Sequence, residues 1–167
     1  LHQRYGKLPW KTLFDPAIRH AWEGAPVTQN VAYYLARSFK AFTRPGAGIE
    51  EIDNFRQVWA ANGRTPHEGD TFRNLALAQT YHKIAEGGRD AFYDGAIADH
   101  IERYFKRIGG WMTRADLAAH RTEWVEPLMT TYRGVEVYSL GPNTQGLSTN
   151  QILNICEQFD LKAMGFQ

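Results

Sequence analysis

The side chains able to do chemistry are scattered along this chain rather than gathered into a motif. Six histidines raise the question of a metal. His2 and His20 fall near helix ends or on the surface, and His67, His82, His100 and His120 are spread through the sequence. Only Asp116 and His120, four apart on a short helical pattern, could face one ion together, and two ligands are too few for a zinc site without distant help. No HExxH occurs. Solvated or capping roles account for the histidines better. Cys156 is the single cysteine, which excludes an internal disulfide and a cysteine-based zinc cluster. As a nucleophile it would need a base and an oriented thiolate. Its place on an apolar face, three residues from Leu153 and Phe159, instead predicts burial as a small hydrophobe.

Glycine clusters are the other chemical candidates. Gly87-Gly88 and Gly109-Gly110 lack GxxxxGK[ST] and do not follow strands, so helix termination explains them. The loop Gly141-Pro142-Asn143-Thr144-Gln145-Gly146 is different, because it joins a strand to a helix N-terminus. Free backbone amides and the helix dipole there could favour an anion such as a carboxylate. A tight connection capped by Ser148 or Thr149 explains the same residues. Thr144 lacks a GxSxG context and no histidine follows it. The residues alone thus assign no catalytic, cofactor-binding or metal-binding side chain.

The elements that would carry such groups are mostly helical. Asp15-Pro16 starts a helix with Ala17, Ile18, Ala21 and Trp22 as a buried stripe, and Gly24 ends it. Thr28 caps a second, with Val31, Tyr34, Leu35 and Phe39 on its apolar face. Residues 43–49 are a loop, 52–59 a short helix, and Asn62-Gly63 a turn. Asp70 or Thr71 opens a long helix to about Glu86, lined by Leu77, Tyr81, Ile84 and Ala85. Ile97, Ile101, Tyr104, Phe105 and Ile108 mark an amphipathic helix over 97–108. Thr113 and Asp116 have capping-box spacing before a short helix ending near His120.

After His120 the character changes. Residues 122–125 and 130–132 are β-prone, Arg133-Gly134 is a turn, and Val135, Val137 and Tyr138 belong to a strand. A last helix over 147–159 uses Leu147, Ile152, Ile155, Cys156 and Phe159. The reading is one mainly α chain, 1–167, with a helical region 1–120 and a strand–loop–helix unit 121–167. Two short strands leave ladder groups unpaired, so a sheet supplied from elsewhere, or a second copy, is expected to cover them.

Composition sets outer bounds. The 167 residues are 43% hydrophobic and 22% charged, which is globular. Nineteen basic and 18 acidic side chains give a net charge of +1 without a Lys/Arg stripe, which argues against nucleic acid and acidic membrane surfaces as partners. No membrane segment is expected, since no run approaches 18 apolar residues. The compartment stays open between periplasmic or secreted and cytoplasmic.

Several blocks together carry a family resemblance. RYGKLPW (4–10), DPAIRHAWEG (15–24), EGDTFRNLALAQTYHKIAEGGRDAFYDGAIADHI (68–101), GGWMTRADLAAH (109–120) and EPLMTTYRGVEVYSLGPNTQGLSTNQILNICEQFDL (126–161) occur in order. The chain resembles the distal half of the large subunit of gamma-glutamyltransferases (gamma-glutamyltranspeptidases). That is an N-terminal nucleophile hydrolase family that also contains cephalosporin-acylase-like members. The resemblance implies a piece of a four-layer αββα fold, made as a precursor that cuts itself to expose a threonine nucleophile. That threonine would act on a gamma-glutamyl or related acyl amide. It also implies that the nucleophile lies after Gln167 and the carboxylate-binding arginine before Leu1. Arg4, Arg19 and Arg133 do not match that arginine's motif. Expected partners are the small-molecule substrate, the remainder of the large subunit, the small subunit and, for the piece alone, a second copy; no cofactor is implied. One departure stands out: glutathione-cleaving members carry two or three prolines and then Ser-Ser-Gly-Gly where this chain has Pro142 to Gly146. That leaves room for an acylase-like member. A non-catalytic helical binding module, or a parent that has lost self-cleavage, are the other readings.

Overall fold

The computed structural model describes residues 1–165. These fall into two compact units that divide between His120 and Arg121.

In the first unit, α1 (His2–Tyr5) and a 3-10 turn (Lys11–Leu13) lead into α2 (Asp15–Glu23), with Pro16 in its first turn. Gly24 ends α2 with φ 102°, a region that side chains with a Cβ avoid. A Cβ there would also lie 2.4 Å from Thr71 Cγ2. The chain then forms β1 (Ala25–Pro26), α3 (Gln29–Thr43) and α4 (Ile52–Trp59). The bounds of α4 are those expected. Thr28 is the N-cap residue of α3, but its hydroxyl makes no capping bond.

The long helix begins later than its periodicity suggests. Thr71–Phe72 form β2, paired antiparallel with β1 in the register Ala25↔Phe72. Val27 N–H donates to Asp70 O at 2.9 Å, and Asn74 N–H to Ala21 O at 2.9 Å. The backbone of 70–74 is thus committed to a segment nearly fifty residues away. Helix α5 (Leu75–Tyr93) starts only when Asn74 Oδ1 accepts from Leu77 N–H at 2.9 Å. Gly88 (φ 65°, ψ −154°) is non-helical and divides this span into two helices joined at a kink, so the expected stop at Gly87-Gly88 is present and a short second helix runs on to Tyr93. Helix α6 (Ala96–Arg107) follows, and α7 (Arg114–Ala119) carries the full capping box between Thr113 and Asp116.

The core of this unit is made of small residues. Ala21, Ala78, Ala85 and Ala98 are buried where α2, α5 and α6 pack, with Val27 and Ala60 beside them. Trp10 reaches across to donate from Nε1 to Ile84 O at 3.1 Å. Larger apolar groups sit outside. Trp22, expected on the buried stripe of α2, is 55% exposed, and Val31 and Tyr34 of α3 are also exposed. The α2 expectation fails at Trp22 because α2 meets its neighbours through Ala21, which leaves the adjacent Trp22 more than half exposed.

In the second unit, residues 121–127 are irregular. The β-prone stretch 122–125 is not a strand, since nothing pairs with it. Pairing begins after Pro127, where β3 (Leu128–Tyr132) meets β4 (Val135–Ser139) from Leu128↔Ser139 to Tyr132↔Val135. Arg133 (φ 51°) and Gly134 (φ 82°) make the two-residue turn with both residues left-handed, which matches strand twist. Arg133 is held in that region by Glu157 Oε1, which accepts its N–H at 2.6 Å. Helix α8 (Gly146–Cys156) packs on the hairpin, and α9 (Leu161–Met164), unforeseen in the sequence, is capped by Asp160. Helix α8 stops at Cys156, short of the expected Phe159. Among the described residues no helix is long and apolar enough to cross a membrane.

The chain exposes 13367 Å². A folded chain of its mass exposes about 8,400 Å², and two independently folded units of these sizes about 9,900 Å² together. No large side chain is fully buried among the described residues.

Two outcomes follow. Asn74→Ala should lower stability by about 1 kcal/mol, whereas Thr28→Ala should change it by less than about 0.5 kcal/mol; urea denaturation of the intact protein measures both. The Thr113 hydroxyl and N–H hold the Asp116 carboxyl below its ordinary pKa. A depressed pKa means that the capping box is intact at neutral pH and opens as pH falls through the lowered value. An NMR titration of Asp116 should therefore have its midpoint below that of an unstructured aspartate.

Candidate functional site

Strand β4, the loop 141–146 and helix α8 bring backbone geometry and polar side chains together. Thr144 organises the loop. Its hydroxyl lies 3.0 Å from both Leu140 O and Gly141 O, to which its one proton can donate, and it accepts from Gly146 N–H at 3.2 Å. Thr144, outside the helix, therefore does the capping expected of Ser148 or Thr149, which lie within α8. Asn143 takes φ 78° to close the turn. A Cβ on Gly146 would lie 2.1 Å from Leu140 O, so only glycine fits there. With Gly146 N–H already occupied, the loop is built as a tight connection. Thr144 has no histidine or carboxylate beside it among its hydrogen-bond partners, so its hydroxyl serves structure.

Helix α8 meets the hairpin with a polar stripe. Asn150 is buried and its Oδ1 accepts from Ser139 Oγ at 3.1 Å. One turn on, Asn154 Oδ1 accepts from Thr130 Oγ1 at 2.5 Å, and then Glu157 takes the Arg133 N–H. The signal for this was present as Asn150, Asn154 and Glu157 at spacings of four and three, but the apolar residues drew the reading to the other face. Ile152 and Ile155 lie opposite the stripe, and Ile155 is 61% exposed. Cys156 is half-buried at the edge of the packed face rather than enclosed.

The remaining candidates do not converge. Asp116 accepts from Thr113 N–H at 2.9 Å and from its hydroxyl at 2.6 Å. His120 stacks on Tyr93 with centroids 5.0 Å apart, and Arg89 lies over the same ring at 4.7 Å. His2 bonds Leu8 O at 2.9 Å. Among the described residues no group of three His, Cys, Asp or Glu side chains is placed to hold a metal. No nucleophile–base–orienter set is assembled either.

Comparison with known proteins places the chain. The family described as Gamma-glutamyltranspeptidase matches residues 1–167. The glutathione hydrolase proenzyme of Escherichia coli is 34% identical over 164 residues, covering 98% of this chain and 27% of that protein. Among solved structures, a cephalosporin acylase from Bacillus halodurans superposes with TM-score 0.86 at 37% identity, covering 96% of this chain and 30% of the other. The gamma-glutamyltranspeptidase of Helicobacter pylori gives TM-score 0.79 at 30% identity, covering 99% and 46%. The chain belongs to the gamma-glutamyltranspeptidase family, and its mainly helical fold with a C-terminal hairpin is one that these relatives share. It spans about 27% of the E. coli relative's length.

Gly146→Ala should destabilise the strand–loop–helix unit by about 2 kcal/mol or more, because the clash is with backbone. Ser139→Ala leaves the Asn150 acceptor unpaired at a cost of about 1–2 kcal/mol. Thermal unfolding of the intact variants would rank them in that order.

Proposed function

We propose that this chain is a structural part of a gamma-glutamyltransferase-like enzyme that transfers or hydrolyses gamma-glutamyl or related acyl amides. In this reading the nucleophile is an N-terminal threonine outside the chain, freed when a precursor cuts itself. The chain alone is inactive. One observation carries the reading: the family match runs from end to end at 34% identity to the E. coli glutathione hydrolase proenzyme.

The chemistry is acyl transfer through a covalent ester. The threonine hydroxyl attacks the amide carbonyl while its own α-amine takes the proton, and backbone amides hold the oxyanion. The protonated amine then donates to the leaving nitrogen. Water completes hydrolysis, and an amino acid or peptide amine completes transpeptidation. The dispersed polar groups of the described residues fit a supporting role. They cap helices, fix the loop at 141–146 and lock α8 onto the hairpin, so that the chain presents a rigid surface to the remainder of the large subunit and the small subunit.

A second reading has its own support. The Pro142–Gly146 loop lacks the Ser-Ser-Gly-Gly of glutathione-cleaving members, and the acylase superposes with the higher identity and TM-score. An acylase-like parent would accept an acyl group without the α-amino group of glutamate.

Assay of the intact protein on gamma-glutamyl-4-nitroanilide and glutaryl-4-nitroanilide tests both readings. Turnover of either should fall about 10³-fold or more when the threonine nucleophile is replaced by alanine, and that variant should stay uncut on a denaturing gel. A preference for the glutaryl compound selects the acylase reading. Retained turnover in the threonine variant would overturn the mechanism.

A further inference from the structure

The first unit holds a cleft separate from the loop 141–146. It lies between the C-terminal end of α4 and β2 and has a volume of about 400 Å³, within the range of small-molecule sites. Trp59 and Phe72 form one wall, their rings stacked at 4.9 Å and 5° from parallel. Arg64, Asp70, Arg73 and Gln57 contribute the polar rim.

The charges on that rim are not equivalent. Arg64 Nη1 donates to Asp70 Oδ2 at 2.9 Å, and the same oxygen accepts His67 N–H at 2.9 Å. Those bonds, the His67 N–H first, hold the Asp70 carboxyl below its ordinary pKa and keep it ionised. Arg64 is thereby neutralised. Arg73 is fixed differently. Its Nε donates to Glu23 O at 2.8 Å, and its stem crosses Gly24 so closely that a Cβ there would lie 3.0 Å from Arg73 Cγ. Among the described residues it forms no ion pair. The result is an anchored guanidinium of uncompensated charge beside an aromatic wall. Guanidinium forks favour the planar, bidentate geometry of a carboxylate, and aromatic faces favour a flat apolar body. Covering such a charge with apolar protein would be costly, which keeps this rim suited to a polar ligand.

We propose that this cleft binds a small organic carboxylate, with the carboxylate on Arg73 and the apolar body against Trp59 and Phe72. Benzoate is the simplest probe of that chemistry, and methyl benzoate removes its charge while keeping its ring. Saturation-transfer NMR and calorimetric titration of the intact protein at low ionic strength should show saturable benzoate binding with a Kd of about 1 mM. Methyl benzoate should not compete. Arg73→Gln should weaken benzoate about tenfold or more, with Arg73→Lys intermediate. Gln57→Glu, an exposed change that leaves Arg73 and its Glu23 bond in place, should weaken it by adding a negative charge to the rim. Absence of saturable binding would overturn the proposal. So would equal binding of the ester, or benzoate affinity unchanged in both Arg73→Gln and Gln57→Glu.

Discussion

Helices α2, α5 and α6 approach one another through alanines, and that choice of small residues governs the rest of the structure. Alanine at a crossing lets backbones come close and forms a firm but thin seam, burying little apolar area per residue. Ala98 is fully buried, whereas Trp111, in the segment between α6 and α7, is 93% exposed. The seam is enough to set the relative positions of the helices in the first unit. It is not enough to cover the large apolar side chains that the same helices carry. The surface exceeds that expected of folded units of this size by thousands of Å², on the scale of an obligate interface. Trp22, Tyr34 and Ile155 are among the large side chains that stay on that surface.

The second unit shows the same shortage in hydrogen bonds. The hairpin closes at the Tyr132–Val135 pair, so bonded and non-bonded pairs alternate along the ladder. The amides of Met129, Thr131, Glu136 and Tyr138 consequently turn toward the two open edges. Helix α8 covers one face of the hairpin with Asn150 and Asn154 and turns its isoleucines away. A polar stripe between helix and sheet fixes register, since each bond has one partner, while the apolar face stays available for a second contact. This arrangement suits an inner element of a layered fold better than a free-standing one.

Local signals made much of this legible in the sequence. The 3.6-residue period placed α6 almost to the residue, the spacing of Thr113 and Asp116 announced a capping box that is present, and Arg133-Gly134 marked the hairpin turn. What failed depended on distant partners. Thr71 and Phe72 read as helical until Ala25 and Pro26 claim their backbone, and two-residue strands leave no periodicity to detect. The β-prone 122–125 stayed irregular because propensity without a pairing strand yields no ladder. The period also locates the apolar faces of α3 and α8, and much of both stays exposed in the structure. For the site, the scattered histidines and the single cysteine give the sequence no motif from which to assign a catalytic residue. Family membership rests on ordered blocks of sequence and on the backbone shared with solved relatives, not on an assembled site.

Hydrogen–deuterium exchange, followed at the amides of β3 and β4 in the isolated 167-residue chain and in the intact protein, tests the central claim most directly. Coverage by protein outside the chain predicts slow exchange at Met129, Thr131, Glu136 and Tyr138 in the intact protein and fast exchange in the isolated chain. Equal protection of these four amides in the two samples would contradict it.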